Sequence, residues 1–233
     1  LAFQPNDRVS IVPRVIFQSI DMDGFNREDD YNALANPYTT TRPNVSFGDY
    51  EQYTQLEESF EDDFLLVDLT ANIDINDAMT LTSVTSYTDR EVLVVRDASA
   101  LNGSILGGSS GEPEAVYTLD APLYDRTDAT VITQELRLSG VNGPLQWVAG
   151  VFYSEVEREY SQVLDVAGYT ALTGNASAGV RAGEDELYFS EVPYELEQYA
   201  VFGELSYDLS ERTMVVLGAR FFDYEETRKL TFD

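Results

Sequence analysis

The chain has 233 residues, 24% of them charged and 43% apolar, with 15 Tyr and 12 Phe, a composition that argues for a folded domain rich in strands and against disorder. Its net charge of −28 excludes nucleic acid as a partner. With no Cys and no His, disulfides, thiol chemistry, Cys-based zinc sites and every Ser-His-Asp triad are excluded as well. In chain order, a first strand is predicted over 8–18, with Val9, Ile11, Val15 and Phe17 on one face and Pro13 marking an edge or a bulge. The clearest strand covers 64–75: Leu65, Val67, Leu69, Ala71, Ile73 and Ile75 alternate with Asp68, Thr70, Asn72 and Asp74. A short turn at Asn76–Ala78 leads into 79–95, where Leu81 and Tyr87 oppose Thr80, Thr82 and Arg90. A second hairpin joins 130–139 (Ile132, Leu136, Leu138) to 145–154 (Leu145, Trp147, Ala149, Val151, Tyr153). A third joins 198–207 (Tyr199, Val201, Leu205, Tyr207) to 213–224 (Val215, Leu217, Ala219, Phe221).

About seven strands therefore alternate short turns (76–78, 140–144, 208–212) with long connections (21–63, 97–128, 155–197). This is the pattern of an outer-membrane barrel, with short periplasmic turns and long extracellular loops. No apolar run is long enough for a membrane helix, but barrel strands are short and alternating, and hydropathy passes over them. Aromatic residues cluster at strand ends (Phe17, Phe64, Tyr87, Trp147, Phe152, Tyr153, Tyr199, Tyr207, Phe221, Phe222), where interfacial girdles would place them; the preference of aromatics for strands is the alternative explanation. The three long connections hold 28 acidic and 5 basic residues, so they carry most of the negative charge. So small a set of strands leaves two edges unpaired, and the chain does not begin with Met; it is expected to be a fragment of a larger precursor.

Chemistry is sparse. Asp21-Met22-Asp23-Gly24-Phe25-Asn26 offers alternating oxygen ligands and a Gly turn, which makes Asp21, Asp23 and Asn26 a candidate calcium site, with a plain acidic turn as the alternative. Carboxylate pairs such as Glu57-Glu58 and Asp62-Asp63 are explained by acidic composition without hydrolase chemistry. Gly107-Gly108-Ser109-Ser110-Gly111 lacks the Lys of a phosphate loop and reads as a loop tip. No cofactor is expected. Tyr31, Tyr38, Tyr50, Tyr53, Tyr117, Tyr124, Tyr169 and Tyr188 fall in the long connections and are the candidate ligand contacts, since Tyr combines a rigid apolar face with a polar tip, with packing of the loops against each other as the alternative.

At the hairpins the chain resembles the barrel region of TonB-dependent receptors. The resemblance is carried by Thr133-Gln134-Glu135-Leu136-Arg137-Leu138-Ser139 with Leu145-Gln146-Trp147-Val148-Ala149-Gly150-Val151-Phe152-Tyr153, and by Leu81-Thr82-Ser83-Val84-Thr85-Ser86-Tyr87-Thr88-Asp89-Arg90. Gln198-Tyr199-Ala200-Val201-Phe202-Gly203-Glu204-Leu205 with Leu217-Gly218-Ala219-Arg220-Phe221 is the third piece. The resemblance implies that residues 1–233 are part of a 22-stranded barrel whose plug domain is absent from this sequence. It implies an outer-membrane location, a scarce extracellular nutrient as ligand (a ferric siderophore, vitamin B12, haem or an oligosaccharide), and energy from the TonB complex acting on the plug. Transport rather than catalysis is expected. A passive outer-membrane channel and a soluble all-β binding module are the alternatives.

Overall fold

A computed structural model describes residues 2–24, 27, 28, 30–34, 42–106, 113–175 and 181–233. Among the described residues ten strands form one antiparallel sheet: β1 (Phe3–Asn6), β2 (Val9–Met22), β3 (Ser59–Asn76), β4 (Met79–Asp97), β5 (Pro122–Asn142), β6 (Leu145–Asp165), β7 (Glu186–Glu191), β8 (Tyr194–Ser210), β9 (Thr213–Arg228) and β10 (Thr231–Phe232). Two short helices, α1 (Ser99–Leu106) and α2 (Tyr169–Thr173), and a 3₁₀ turn at Glu114–Thr118 lie in the long connections. Strands follow one another in chain order across the sheet, so each pairs with its neighbour in sequence from β1 to β6. β7 and β8 both pair with β6, in one continuous register: Arg158 opposes Tyr194, and three residues further along Ser161 opposes Glu191. They are one long strand interrupted at Pro193, which has no N–H to donate. Val192 N–H still bonds to Tyr160 O (2.7 Å). β9 and β10 continue each other in the same way along β8 and β7. The seven long strands expected from the sequence are therefore all present, and β1 adds a short eighth position at the edge.

Every expected strand runs further than its apolar alternation. β5 and β6 each reach 21 residues where alternation marks about ten. The expected long connections shrink accordingly. Glu61, Asp62, Asp63, Asp125, Asp128, Glu155, Glu157, Glu159, Glu195 and Glu197, read as loop acids, belong to strands. The reason is physical: above the apolar band both faces of a strand meet water, so the period-two signal fades while backbone pairing continues.

The two faces differ. Residues that oppose one another across an antiparallel ladder share a face. The row Ile11, Ala71, Ser83, Leu136, Val151, Val201, Phe221 and the row Val9, Ile73, Leu81, Leu138, Ala149, Gly203, Ala219 define an apolar face. Its large members Leu136, Val151, Val201 and Phe221 are exposed. On the other face Asp62, Asp68, Thr82, Ser154 and Ala200 are buried, although among the described residues no second layer covers them. Only crowding by neighbouring side chains can do this, which makes it the concave side. Asp68, Thr70, Asn72, Glu204 and Arg220 all lie on it. Gly150 is the place where the concave face needs a bare backbone: a Cβ there would come within 2.5 Å of the Phe202 ring.

The upper boundary of the apolar face crosses the sheet obliquely. The first acids above it are Asp63, Asp89, Glu155, Glu197 and Asp223 on β3, β4, β6, β8 and β9. Asp63 opposes Glu91, Asp89 is linked through Thr130 to Glu157, Glu155 opposes Glu197, and Glu197 opposes Glu225. The boundary therefore drops by about six residues over about five interstrand steps. At roughly 3.3 Å per residue and 4.8 Å per strand, that is a tilt of roughly 40°, within the range of closed barrels. Below the acids stand Tyr87, Tyr153 and Tyr199, with hydroxyls donating to Asp89 (2.8 Å), Glu155 (2.9 Å) and Glu197 (3.4 Å). From Tyr153 down to Leu145, and from Tyr199 down to Tyr207, the apolar face lasts nine residues, enough for a tilted strand to cross hydrocarbon.

Val201 lies in the middle of this band and is 60% exposed. Val201→Arg in the full-length protein should cost about 2–4 kcal/mol of stability in lipid vesicles. Gln198→Arg on the concave face should cost much less. Equal losses in urea unfolding titrations would show that the faces have been assigned wrongly.

Candidate functional site: concave wall and loop cap

Among the described residues, three ion pairs link neighbouring strands across the concave wall. Arg14 donates to Asp68 (2.5 Å) from β2 to β3, and Arg90 makes a two-point contact with Asp62 (2.8 and 2.5 Å) from β4 to β3. Arg96 meets Asp125 (2.6 Å) between β4 and β5, where the Tyr160 hydroxyl (2.9 Å) and the Gln162 amide also donate to Asp125. Between them Ser86 and Thr133 share a hydrogen bond of 2.6 Å. Polar side chains thus satisfy one another across strands, as a wall facing water requires.

Above the wall the long connections pack on each other. Asp97, at the end of β4, ties the first to the second. Its carboxylate accepts N–H bonds from Gln55, Leu56 (3.1 Å) and Ser99 (2.9 Å), and its own N–H donates to Glu58 (2.9 Å). Glu58 also pairs with Arg27 (3.0 Å). The Gln55 side chain reaches on to Leu119 O (3.3 Å) and Asp120 (2.9 Å). The second and third connections share an apolar core: Val116, Ala121, Val166 and Tyr169 are buried, with Leu119, Leu164 and Leu187 against them. Asp185 takes the N–H groups of Gly168 (2.8 Å) and Thr170 (2.7 Å) at the start of α2, and those bonds hold its carboxyl below the ordinary value. A cavity of about 960 Å³ opens among Asp23, Gly24, Gln52 and Thr54 to Ser59.

The tyrosines picked from the sequence separate into groups. Tyr31 and Tyr53 meet edge to face at 4.9 Å, and the Tyr31 hydroxyl accepts from Arg42 (3.3 Å). Tyr50 is 94% exposed. Tyr117 and Tyr169 are buried in the loop cap, with the Arg42 guanidinium 3.9 Å over the Tyr117 ring and Gly103 beneath it. Tyr124 and Tyr188, placed in loops by the sequence, lie on β5 and β7. Tyr38 and Asn26 lie outside the described residues. Asp21 stands on β2 and Asp23 lines the cavity, and among the described residues no three acidic side chains converge as metal ligands. Sequence reasoning missed Asp97, a lone carboxylate ahead of Ala98-Ser99; an Asp two residues before a Ser at a strand-to-helix junction is the available signal.

A sheet that is apolar outside, polar inside, tilted, and turned shortly at one end and long at the other is the wall of an outer-membrane type of β-barrel. Residues 5–232 match the family described as TonB dependent receptor-like, beta-barrel, and the chain belongs to that family. No curated protein sequence is significantly similar to it. Among solved structures it is similar to the ferric yersiniabactin uptake receptor FyuA from Yersinia pestis, with 11% identity and a TM-score of 0.51, over 100% of this chain and 40% of that one. It is also similar to BauA, the ferric preacinetobactin receptor from Acinetobacter baumannii, with 11% identity and a TM-score of 0.47, over 94% of this chain and 35% of that one. The chain thus spans well under half the length of either.

Burial pushes the Asp97 carboxyl up, but the bonds from Ser99, Gln55 and Leu56 outweigh it and hold the group below the ordinary carboxylate value. A depressed folded value means that this contribution to stability is complete above about pH 4 and is lost as pH falls through the folded value. Hydrogen exchange at the amides of Gln55, Leu56 and Ser99 should rise about tenfold beyond its intrinsic change on acidification below that range. In Asp97→Asn they should exchange fast already at pH 7. Amides as protected in Asp97→Asn as in the parent would remove Asp97 as the tie between loops.

Proposed function

We propose that this chain supplies part of the wall and extracellular loops of an outer-membrane receptor that takes up a scarce nutrient by active transport. The observation that carries the proposal is the family match across nearly the whole chain, on a sheet whose apolar outer band has the height and tilt of a membrane wall. Family members are receptors and transporters, and the Gram-negative outer membrane is the proposed location. Residues 1–233 are taken as a partial barrel domain, with the plug and its contact to the TonB complex supplied by the rest of the parent protein. Ferric siderophores, vitamin B12, haem and oligosaccharides are the ligand classes considered. The exposed Tyr50 and the Tyr31–Tyr53 pair are proposed as first contacts, while buried Tyr117 and Tyr169 hold the loops in shape.

The full-length parent, expressed in a Gram-negative host, should fractionate with the outer membrane and migrate faster on a gel when left unheated. A soluble protein without a heat-dependent shift would reject the receptor and leave an all-β binding module in its place.

A further inference from the structure

The chain carries a strong negative charge, yet one register row of the concave wall is cationic. Arg158 on β6 opposes Tyr194 on β8, and Tyr194 opposes Arg228 on β9. All three side chains therefore stand side by side on the concave face, five residues above the row in which Tyr153 and Tyr199 end the outer apolar band. The two guanidinium carbons lie 5.8 Å and 5.3 Å from the Tyr194 ring centre. Arg228 is paired with Glu226 (2.8 Å). Arg158 touches the rings of Tyr160 (5.8 Å) and Tyr194 and makes no hydrogen bond or ion pair among the described residues. On the far side its row neighbour is Ala129, whose small side chain leaves room before Arg90. The next rows bring Val156, Val131 and Leu196 below and Tyr160 above. The carboxylates that share this part of the face, Asp62, Asp125 and Glu226, are each engaged by an arginine.

Resting on the receptor reading above, we propose that Arg158, Tyr160, Tyr194 and Arg228 form a subsite for a planar anionic group of the transported ligand, such as an aromatic carboxylate. The guanidinium of Arg158 is the uncommitted cation, and a carboxylate accepts two of its N–H bonds in the plane that guanidinium geometry favours. Tyr160 and Tyr194 supply aromatic faces for the ring. Charge complementarity selects the occupant at contact range. The acids of the outer face act through solvent and are screened over about 8 Å at physiological ionic strength.

Benzoate, with neutral benzamide as its control, is the probe, titrated by calorimetry into the full-length receptor purified in detergent. Benzoate should bind and benzamide should not. Arg158→Gln should weaken benzoate at least tenfold, Arg158→Lys should restore part of the loss, and Arg137→Gln, lower on the same wall, should change nothing. The heat-dependent gel shift is measured on each variant, so that a misfolded barrel is recognised. Benzoate that fails to bind a heat-shifting parent, or binds Arg158→Gln equally well, overturns the subsite and leaves the receptor reading standing. Loss of the gel shift in the parent removes the receptor reading itself.

Discussion

The constraint on which everything else depends is that a backbone amide in hydrocarbon has no water to turn to. Each N–H and C=O in the crossing segment must find a partner within the sheet, and leaving one unsatisfied costs several kcal/mol. Long antiparallel strands joined in chain order meet that demand with the shortest connections available. The registers of β2 to β6 and of β8 with β9, continuous through the apolar band, are its direct expression. Interruptions lie outside the apolar band, at Pro193 and Lys229–Leu230 above it and beside the short turns below it, between Asp74 and Asn76 and between Asp208 and Ser210, where water can satisfy what the ladder leaves open.

Once the ladder is continuous, side-chain alternation assigns the two solvents. Outward positions must suit hydrocarbon, and inward ones must satisfy each other or face water. Ser83, Thr85 and Gln134 show how narrow the exceptions are. They lie on the outer face, and Gln134 answers both hydroxyls, accepting from Thr85 (2.5 Å) and donating to Ser83 (3.0 Å). A polar group is tolerated there because its hydrogen bonds close locally.

How much of this was legible in the sequence depends on which solvent a residue meets. Within the band, Leu65 to Ile75 and Leu145 to Tyr153 alternate cleanly because two different solvents select them. Their strands, faces and turns could be read directly. Above the band the same strands carry Glu155, Glu157 and Glu159 on one face against Val156, Arg158 and Tyr160 on the other, a pattern that resembles acidic loop. Strand length was therefore underestimated at that end, and Tyr124 and Tyr188 were assigned to loops. The loop cap was less legible still. Asp97 gains its role from Gln55 and Leu56, some forty residues away in sequence, and no local pattern announces a contact of that range.

The obliquity of the band links these levels. Neither sequence nor pairing alone contains the tilt: the sequence marks where each strand turns acidic, and the register relates those marks across strands. A sheet with its strands upright would place the first acids in one row. Here they descend from Asp63 on β3 to Asp223 on β9, by about one residue per strand. The same stagger raises the β9 side of any register row of the concave wall relative to its β2–β4 side. Arg158, Tyr194 and Arg228, level with one another in register, consequently stand at different depths. One shear built into the pairing thus sets both the tilt of the outer apolar band and the relative heights of the side chains on the inner face.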